Sequence, residues 1–200
     1  MNKENQRLIV LASASPRRTA LLAQLGVRHR QHPADIDESR RDSELPEDYV
    51  RRMADEKAAT ALAKCNDCVV IGSDTVVVSD GEVLGKPIDQ HDHARMFAQL
   101  SGRTHHVLTA VTVMDATRCA RALSQSAVTF ALIGPRDVAR YWATGEPADK
   151  AGGYAIQGMA ALFVERLSGS YSGVMGLPVR ETAQLLAQFD AFDWLSEESV

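Results

Sequence analysis

Residues 68–79 read CVVIGSDTVVVS, and this run of β-branched apolar residues decides the fold. Such a run, bounded by turn residues, is typical of a buried strand. Asp80 and Gly81 follow as a two-residue turn, and residues 82–84 return as a second strand, so the stretch predicts a β-hairpin. Because helical patterns lie on both sides of the hairpin, we expect a mixed α/β fold.

The flanking segments carry their own start and stop signals. Ser15 as N-cap, Pro16 at the first helical position and Gly26 as stop predict a helix over 16–25. Other signals predict strands over 8–11, 107–114, 127–133 and 160–167, helices from Pro46, Asp89 and Pro135, a glycine-rich loop over 145–158 and a closing helix over 181–189.

Composition excludes several classes of protein. The chain has 200 residues, 45% hydrophobic, with a net charge of −4, which argues against a general nucleic-acid coat because such binding depends on Lys and Arg. No stretch is apolar enough for a membrane span, and the apolar run 8–12 is too short for the secretion signal that the first residues imitate. We therefore expect a cytoplasmic protein without membrane or nucleic-acid partners. The three cysteines lack zinc-site spacing, so we expect no special role for them.

Asp74 is the strongest anomaly in the sequence. It interrupts the apolar run, and strand alternation places it on the same face as Val70, Val76 and Val78. An ionised carboxylate there is costly unless it meets a cation, a metal or a cleft. Gly72, just before it, allows another group to approach closely. We prefer the interpretation that Asp74 has a functional role. The alternative is a structural carboxylate held by backbone N–H groups at a strand bend.

Lys57 is a second anomaly, because it projects from the middle of an apolar helical stripe that includes Val50, Ala54 and Ala61. One interpretation is a lysine whose head reaches solvent from the edge of the core. The alternative is a buried partner, either a carboxylate or a substrate anion.

Arg17 and Arg18 are the third, because a helix N-terminus disfavours positive charge. A bound anion would reverse that cost, with backbone N–H groups, the Ser13 and Ser15 hydroxyls and two guanidiniums directed at it. A plain Ser-Pro cap with solvated arginines stays equally open at this point.

Weaker candidates for a functional role are Lys86 before Pro87, Lys150 beside two glycines, and Glu38 in an acidic loop. Residues in such settings are more often solvated than functional. The six histidines form no zinc pattern, and we interpret them as structural or surface residues. Several cations together with one carboxylate in an apolar strand suit the binding of a polyphosphate ester and its hydrolysis by a metal-held water. No Walker-type phosphate loop is present.

The ordered motifs LASASPRR, YVRRMADEKA, GSDTVV, GKP, DKAGGYAIQG and GSYSGVMGLP resemble the Maf nucleoside triphosphate pyrophosphatases over about residues 8–190. The resemblance implies one catalytic domain over 1–200, with an elongated, strongly twisted mixed sheet flanked by helices and two lobes around a central cleft, as in ITPase-like folds. It also implies hydrolysis of a nucleoside triphosphate to monophosphate and pyrophosphate, a divalent metal such as Mg²⁺ or Mn²⁺, and a homodimer.

The resemblance assigns roles to particular residues. Asp74 matches the family's catalytic base, and Glu38, with Asp74, is expected at the metal. Arg17, Thr75 and Gln157 match the branch that acts on dTTP and UTP. The expected substrate-binding residues are Ser13, Ser15, Arg17, Arg18, Lys57 and Lys86.

One position departs from the family pattern, since Gly173 stands where relatives often carry Asn, and we assign it no ligand contact. Two alternatives to an enzyme stay open. One is a nucleotide-binding regulator, for example of cell division, that never turns its ligand over. The other, which the acidic balance disfavours, is a nucleic-acid-binding protein.

Overall fold

The computed structural model describes residues 7–192 and is built on a mixed sheet of seven strands. Six strands lie in the order β2-β1-β3-β5-β6-β7, and β4 pairs with β3 beside this path. The strands are β1 (Leu8–Leu11), β2 (Arg30–Gln31), β3 (Cys68–Ser79), β4 (Glu82–Leu84), β5 (Thr104–Met114), β6 (Cys119–Phe130) and β7 (Val164–Ser168). The predicted mixed α/β class and the hairpin of β3 and β4 are confirmed.

Helices flank the sheet, and the predicted cap residues start two of them. Ser15 Oγ accepts from the Arg18 backbone N–H at 3.5 Å, and Asp89 accepts from Asp92 N–H at 2.8 Å. The helices are α1 (Pro16–Gln24), α2 (Pro46–Leu62), α3 (Gln90–Leu100), α4 (Pro135–Trp142), α5 (Tyr171–Met175) and α6 (Val179–Ala187). Among residues 7–192, none of these helices has the length and apolar character needed to cross a bilayer.

The pairing of β3 leaves a gap along one of its edges. On that edge β1 pairs in parallel with residues 68–71, and β4 pairs with residues 77–79. On the other edge β5 pairs antiparallel with residues 70–78. Residues 72–76 therefore lack a strand neighbour on the β1 side, and Asp74 and Thr75 sit in the middle of this opening.

Gly72 lets α2 lie unusually close to β3. A Cβ at this position would overlap the Ala54 carbonyl oxygen and lie 2.8 Å from Ala58 Cβ. The predicted close approach is thus confirmed, and the approaching group is a helix. As predicted, Val70, Asp74 and Val76 share one face of β3, and the structure packs that face against α2.

One hydrophobic core of the molecule packs beneath α3 and α4. Its rings, here called the aromatic core, are Phe97, Phe130, Tyr141, Tyr154 and Phe163, and they stack edge-to-face or tilted on one another. His93 and His105 are fully buried among them.

Three segments differ from the sequence prediction. The strand expected over 127–133 runs over Cys119–Phe130, because backbone pairing with β5 extends through small and polar residues of low strand propensity. Within the strand expected over 160–167, Met159–Phe163 forms 3₁₀ turns and only Val164–Ser168 is extended. The closing helix spans Val179–Ala187, two residues earlier than predicted at each end.

Candidate active site

A pocket of about 560 Å³ opens at the gap in the pairing of β3. Its wall is formed by the loop from β1 into α1, the loop between β2 and α2, the inner face of α2 and the middle of β3. The loop after β4, the glycine-rich loop 145–158 and the end of α5 complete it. All ten predicted site residues line it, namely Ser13, Ser15, Arg17, Arg18, Glu38, Lys57, Asp74, Thr75, Lys86 and Gln157. The wall also carries Lys150 and Asp149, so its charged side chains are five cations and three carboxylates, in a chain whose net charge is negative.

Lys57 joins two carboxylates at the centre of the pocket. Its Nζ lies 2.7 Å from Asp74 Oδ1 and 2.7 Å from Glu38 Oε1. Lys57 and Asp74 are buried, whereas half of the Glu38 side chain is exposed. Of the interpretations left open above, the structure selects carboxylate partners for Lys57 and a cation for Asp74. Each buried charge is paired, as burial requires.

The charges of this cluster shift the pKa values of Glu38 and of the neighbouring Tyr49. Partial burial raises the pKa of Glu38, but the hydrogen bond and charge of Lys57, with Lys86 and Arg18, hold it below its usual value. Tyr49 donates to the Glu38 carbonyl oxygen at 2.8 Å. Burial, with the negative charges of Asp74 and Glu38, raises the pKa of Tyr49 to about 12, so Tyr49 stays a neutral donor.

Arg18 is held by three acceptors from three parts of the fold. Its Nε donates to the Gly176 carbonyl oxygen at 2.8 Å, Nη1 to Ser13 Oγ at 3.1 Å, and Nη2 to Thr75 Oγ1 at 3.4 Å. Burial lowers its pKa, while the nearby Asp74 raises it. A guanidinium has five N–H groups, so one on each terminal nitrogen is left for an anion in the pocket.

The first turn of α1 has the features of an anion site. Arg17 lines the pocket half-buried, and burial lowers its pKa while Asp149 across the pocket raises it. Ser13 Oγ accepts from Ser15 N–H at 3.2 Å and from Arg18, and Ser15 Oγ caps the helix. Both hydroxyls act as acceptors within the loop, which leaves each O–H proton as a donor.

The glycine-rich loop forms the opposite wall and is anchored from beneath. Gly152 N–H donates to the Gly85 carbonyl oxygen at 2.9 Å, and His93 Nε2 lies 3.1 Å from the Gly153 carbonyl oxygen. Lys150 pairs with its neighbour Asp149. Gln157 and Lys86 are exposed at the rim. The predicted structural role of the histidines is confirmed for His93, and His105 bonds the Tyr154 hydroxyl at 2.8 Å.

A divalent cation fits this pocket only if the protein and the substrate both supply ligands to it. One oxygen of Asp74 and one of Glu38 meet at the Lys57 ammonium, so the two carboxylates are neighbours and a divalent cation would have to bind on their side away from Lys57. Within residues 7–192 no group of three or more His, Cys, Asp or Glu side chains is arranged to hold a metal. Two carboxylates suit Mg²⁺ or Mn²⁺ when phosphates and waters complete the shell.

Sequence reasoning missed the polar residues that support the site from behind. Ser73 and Thr109 are fully buried, and their hydroxyls donate to the carbonyl oxygens of Gly176, just after α5, and of Gly173, within α5. A Ser and a Thr inside strands carry no distinct sequence signal. Cys65 and Cys68, for which no special role is expected, bring their sulfur atoms together where α2 leads into β3, with their Cα atoms 6.2 Å apart.

Comparison with known proteins places the chain in a family. Residues 8–189 match the model of the Maf-like proteins. The chain belongs to the Maf family. Among curated relatives of this Maf chain, the dTTP/UTP pyrophosphatase of Hahella chejuensis is 48% identical over 192 residues, which cover 94% of the chain and 96% of the relative. The nucleoside triphosphate pyrophosphatase of Xylella fastidiosa strain M23 is 51% identical over 92% of this chain and 99% of the relative. The dTTP/UTP pyrophosphatase of Shewanella oneidensis is 48% identical over 90% of this chain and 97% of the relative.

Proposed function

We propose that this protein hydrolyses dTTP and UTP to the monophosphate and pyrophosphate. The observation that carries the proposal is the convergence of Asp74 with the cations of α1, α2 and the loop after β4 in one pocket. Two relatives, 48% identical over most of the chain, bear the name dTTP/UTP pyrophosphatase, which supports the same substrates here. A house-cleaning role in nucleotide pools follows from such an activity.

The triphosphate is proposed to lie between the first turn of α1 and Lys86. A pocket with five cations and three carboxylates attracts a polyanion, and the two remaining N–H groups of Arg18 suit bidentate binding of a phosphate. Helix α1 adds backbone N–H groups at its N-terminus. Binding and positioning of this kind supply much of the catalysis of phosphoryl transfer.

Asp74 is the proposed general base. Its Oδ1 is held by Lys57, so Oδ2 is the oxygen available to accept a proton from water. A divalent cation held by Glu38, with Asp74 beside it, would neutralise charge on the phosphates. Water attacks the α-phosphorus and gives its proton to Asp74 Oδ2, the bond from the α-phosphorus to the α–β bridging oxygen breaks, and pyrophosphate leaves.

The choice of nucleobase is proposed to depend on Gln157 at the rim of the pocket. The Gln157 amide carries both donors and acceptors, which suits the edge of a pyrimidine, and it stands exposed at the pocket wall. Gln157→Glu is therefore expected to change the preference between UTP and purine triphosphates more than the affinity for phosphate. The cytoplasmic location and the homodimer stay predictions.

One assay tests the proposal against a non-catalytic nucleotide-binding regulator. The protein is mixed with ordinary and modified nucleoside triphosphates, with Mg²⁺ or Mn²⁺, and pyrophosphate is measured. Release of pyrophosphate from UTP and dTTP in preference to ATP and GTP is expected. Tight binding of UTP without any pyrophosphate would favour the regulator and overturn the enzyme assignment.

A further inference from the structure

A chain of hydroxyl groups runs from Arg18 into the interior, and its direction is determined by its far end. Thr109 Oγ1 lies 2.8 Å from the Gly173 carbonyl oxygen, which only accepts, so Thr109 donates its one proton there. The contact of 3.0 Å between Thr109 Oγ1 and Thr75 Oγ1 then requires Thr75 to be the donor. Thr75 Oγ1 accepts in turn from Arg18 Nη2 at 3.4 Å.

The same interior residues hold α5, which in turn holds Arg18. Thr109 binds α5 through the Gly173 carbonyl, and fully buried Ser73 donates to the Gly176 carbonyl oxygen at 3.1 Å. That Gly176 carbonyl also accepts from Arg18 Nε at 2.8 Å. Helix α5 is packed tightly at this point, since a Cβ on Gly173 would lie 2.9 Å from Ser124 Oγ.

We propose that Thr109 is a positioning residue that fixes the Arg18 guanidinium for the phosphates of the substrate. It acts twice, by orienting the Thr75 hydroxyl and by fixing α5 beneath Gly176. The inference rests on the proposed function insofar as the anion is the triphosphate of a nucleotide. Thr109 has no exposed surface and is absent from the pocket wall, so it acts only through these neighbours.

The direction of the hydrogen bonds in this chain of hydroxyl groups also constrains Thr75, the position that the Maf resemblance links to nucleotide choice. Thr75 has already donated its only proton to Thr109, so it has none left for a base carbonyl. Thr75 therefore influences substrate choice through the position of Arg18 and through its own methyl group and lone pair. A hydrogen bond donated from Thr75 to uracil has no place in this arrangement.

The test compares Thr109→Val, which keeps the shape and removes the hydroxyl, with Thr109→Ser, which retains it. The control is Thr182→Val, because Thr182 is equally buried and donates at 2.7 Å to the carbonyl oxygen of Pro178, which precedes α6, away from the pocket. Binding of inorganic triphosphate is measured by calorimetry, and KM and kcat are measured with UTP.

We expect Thr109→Val to bind inorganic triphosphate about tenfold more weakly and to raise KM about tenfold, with kcat changed less than threefold. Thr109→Ser should restore both values, and Thr182→Val should leave both unchanged. Equal binding of triphosphate by Thr109→Val and wild type overturns the proposal, as does an equal loss in Thr182→Val.

A second variant keeps the proposal falsifiable if Thr109→Val does not fold. Thr75→Val breaks the same chain at a half-buried position and should give the same tenfold loss, with rescue by Thr75→Ser. Unchanged triphosphate binding in Thr75→Val overturns the proposal. Because triphosphate binding needs no hydrolysis, wild-type protein that binds triphosphate yet releases no pyrophosphate from UTP would refute only the enzyme assignment.

Discussion

Two regions of this molecule bury ionisable side chains to similar depth and use them differently. In the pocket, Lys57 and Asp74 are 7% and 9% exposed and form a charged pair. In the aromatic core, His93 and His105 have no exposed surface, and burial lowers the pKa of both, that of His105 to about 4. The pocket groups meet opposite charges, whereas the histidines meet aromatic rings and are held neutral.

The difference teaches that depth of burial does not identify a functional site. Within the described residues, Nδ1 of both histidines lacks a hydrogen-bond partner, while each Nε2 supports a residue of the glycine-rich loop. Their role is to hold the pocket wall. Convergence of charges on one accessible volume is what distinguishes the pocket.

The largest expected effect comes from Asp74→Asn, which keeps the size of the side chain and removes the base. Turnover of UTP should fall roughly 10²- to 10⁴-fold, the range for loss of a general base. Steady-state pyrophosphate release measures it, with thermal unfolding as the check on folding. Cleavage of UTP at the parent rate would remove Asp74 from the chemistry and break the contrast between the two regions.

Lys57→Met should come next, as a loss of stability. It leaves two carboxylates facing each other without their shared cation, and removal of one partner of a buried pair costs about 3 kcal/mol. Urea unfolding at pH 7 measures the change. The matched control is Lys86→Met, an exposed lysine of the same pocket, which should lose far less. Equal stability of Lys57→Met and wild type would contradict the pairing described here.

Gly72→Ala tests whether the ion pair depends on the close approach of α2 to β3. The added methyl meets the Ala54 backbone, so the free energy of unfolding should fall by about 2 kcal/mol. Gly85→Ala is the control, because nothing lies within 4 Å of a Cβ there. If both variants unfold at the same urea concentration as wild type, the helix is not as close as the structure shows.

The smallest effect concerns the aromatic core and depends on pH. The pKa of His105 is about 4 when folded against roughly 6.5 when unfolded, so the unfolded chain binds the extra proton and wild-type stability falls as pH drops through this window. His105→Gln removes that proton uptake. The stability difference between wild type and His105→Gln should therefore narrow by about 1 kcal/mol between pH 7.5 and pH 5.5. A constant difference across these pH values would mean that His105 is not held neutral by burial.

Much of this arrangement was predictable, because local rules govern it. Period-two alternation placed Asp74 on one face of its strand, helical spacing placed Lys57 in an apolar stripe, and cap residues located the start of α1. Their meeting was not predictable from these patterns alone, since it depends on how closely α2 lies over Gly72.

Long-range features had no local signal. The unpaired edge of residues 72–76 arises because β1 ends and β4 begins on the same side of β3, which is a property of the whole sheet. Helix α5 has only five residues, too few for a helical pattern, and Thr109 reads as an ordinary strand residue. The support behind the site therefore became visible only in three dimensions.

The most direct test of the central claim is a crystal structure with a UTP analogue whose α–β bridge resists hydrolysis. We predict that the triphosphate contacts Arg18 and Lys86 and that its α-phosphorus is the one nearest Asp74. Phosphates bound elsewhere, with these side chains facing solvent and Asp74 remote from the α-phosphorus, would contradict the account.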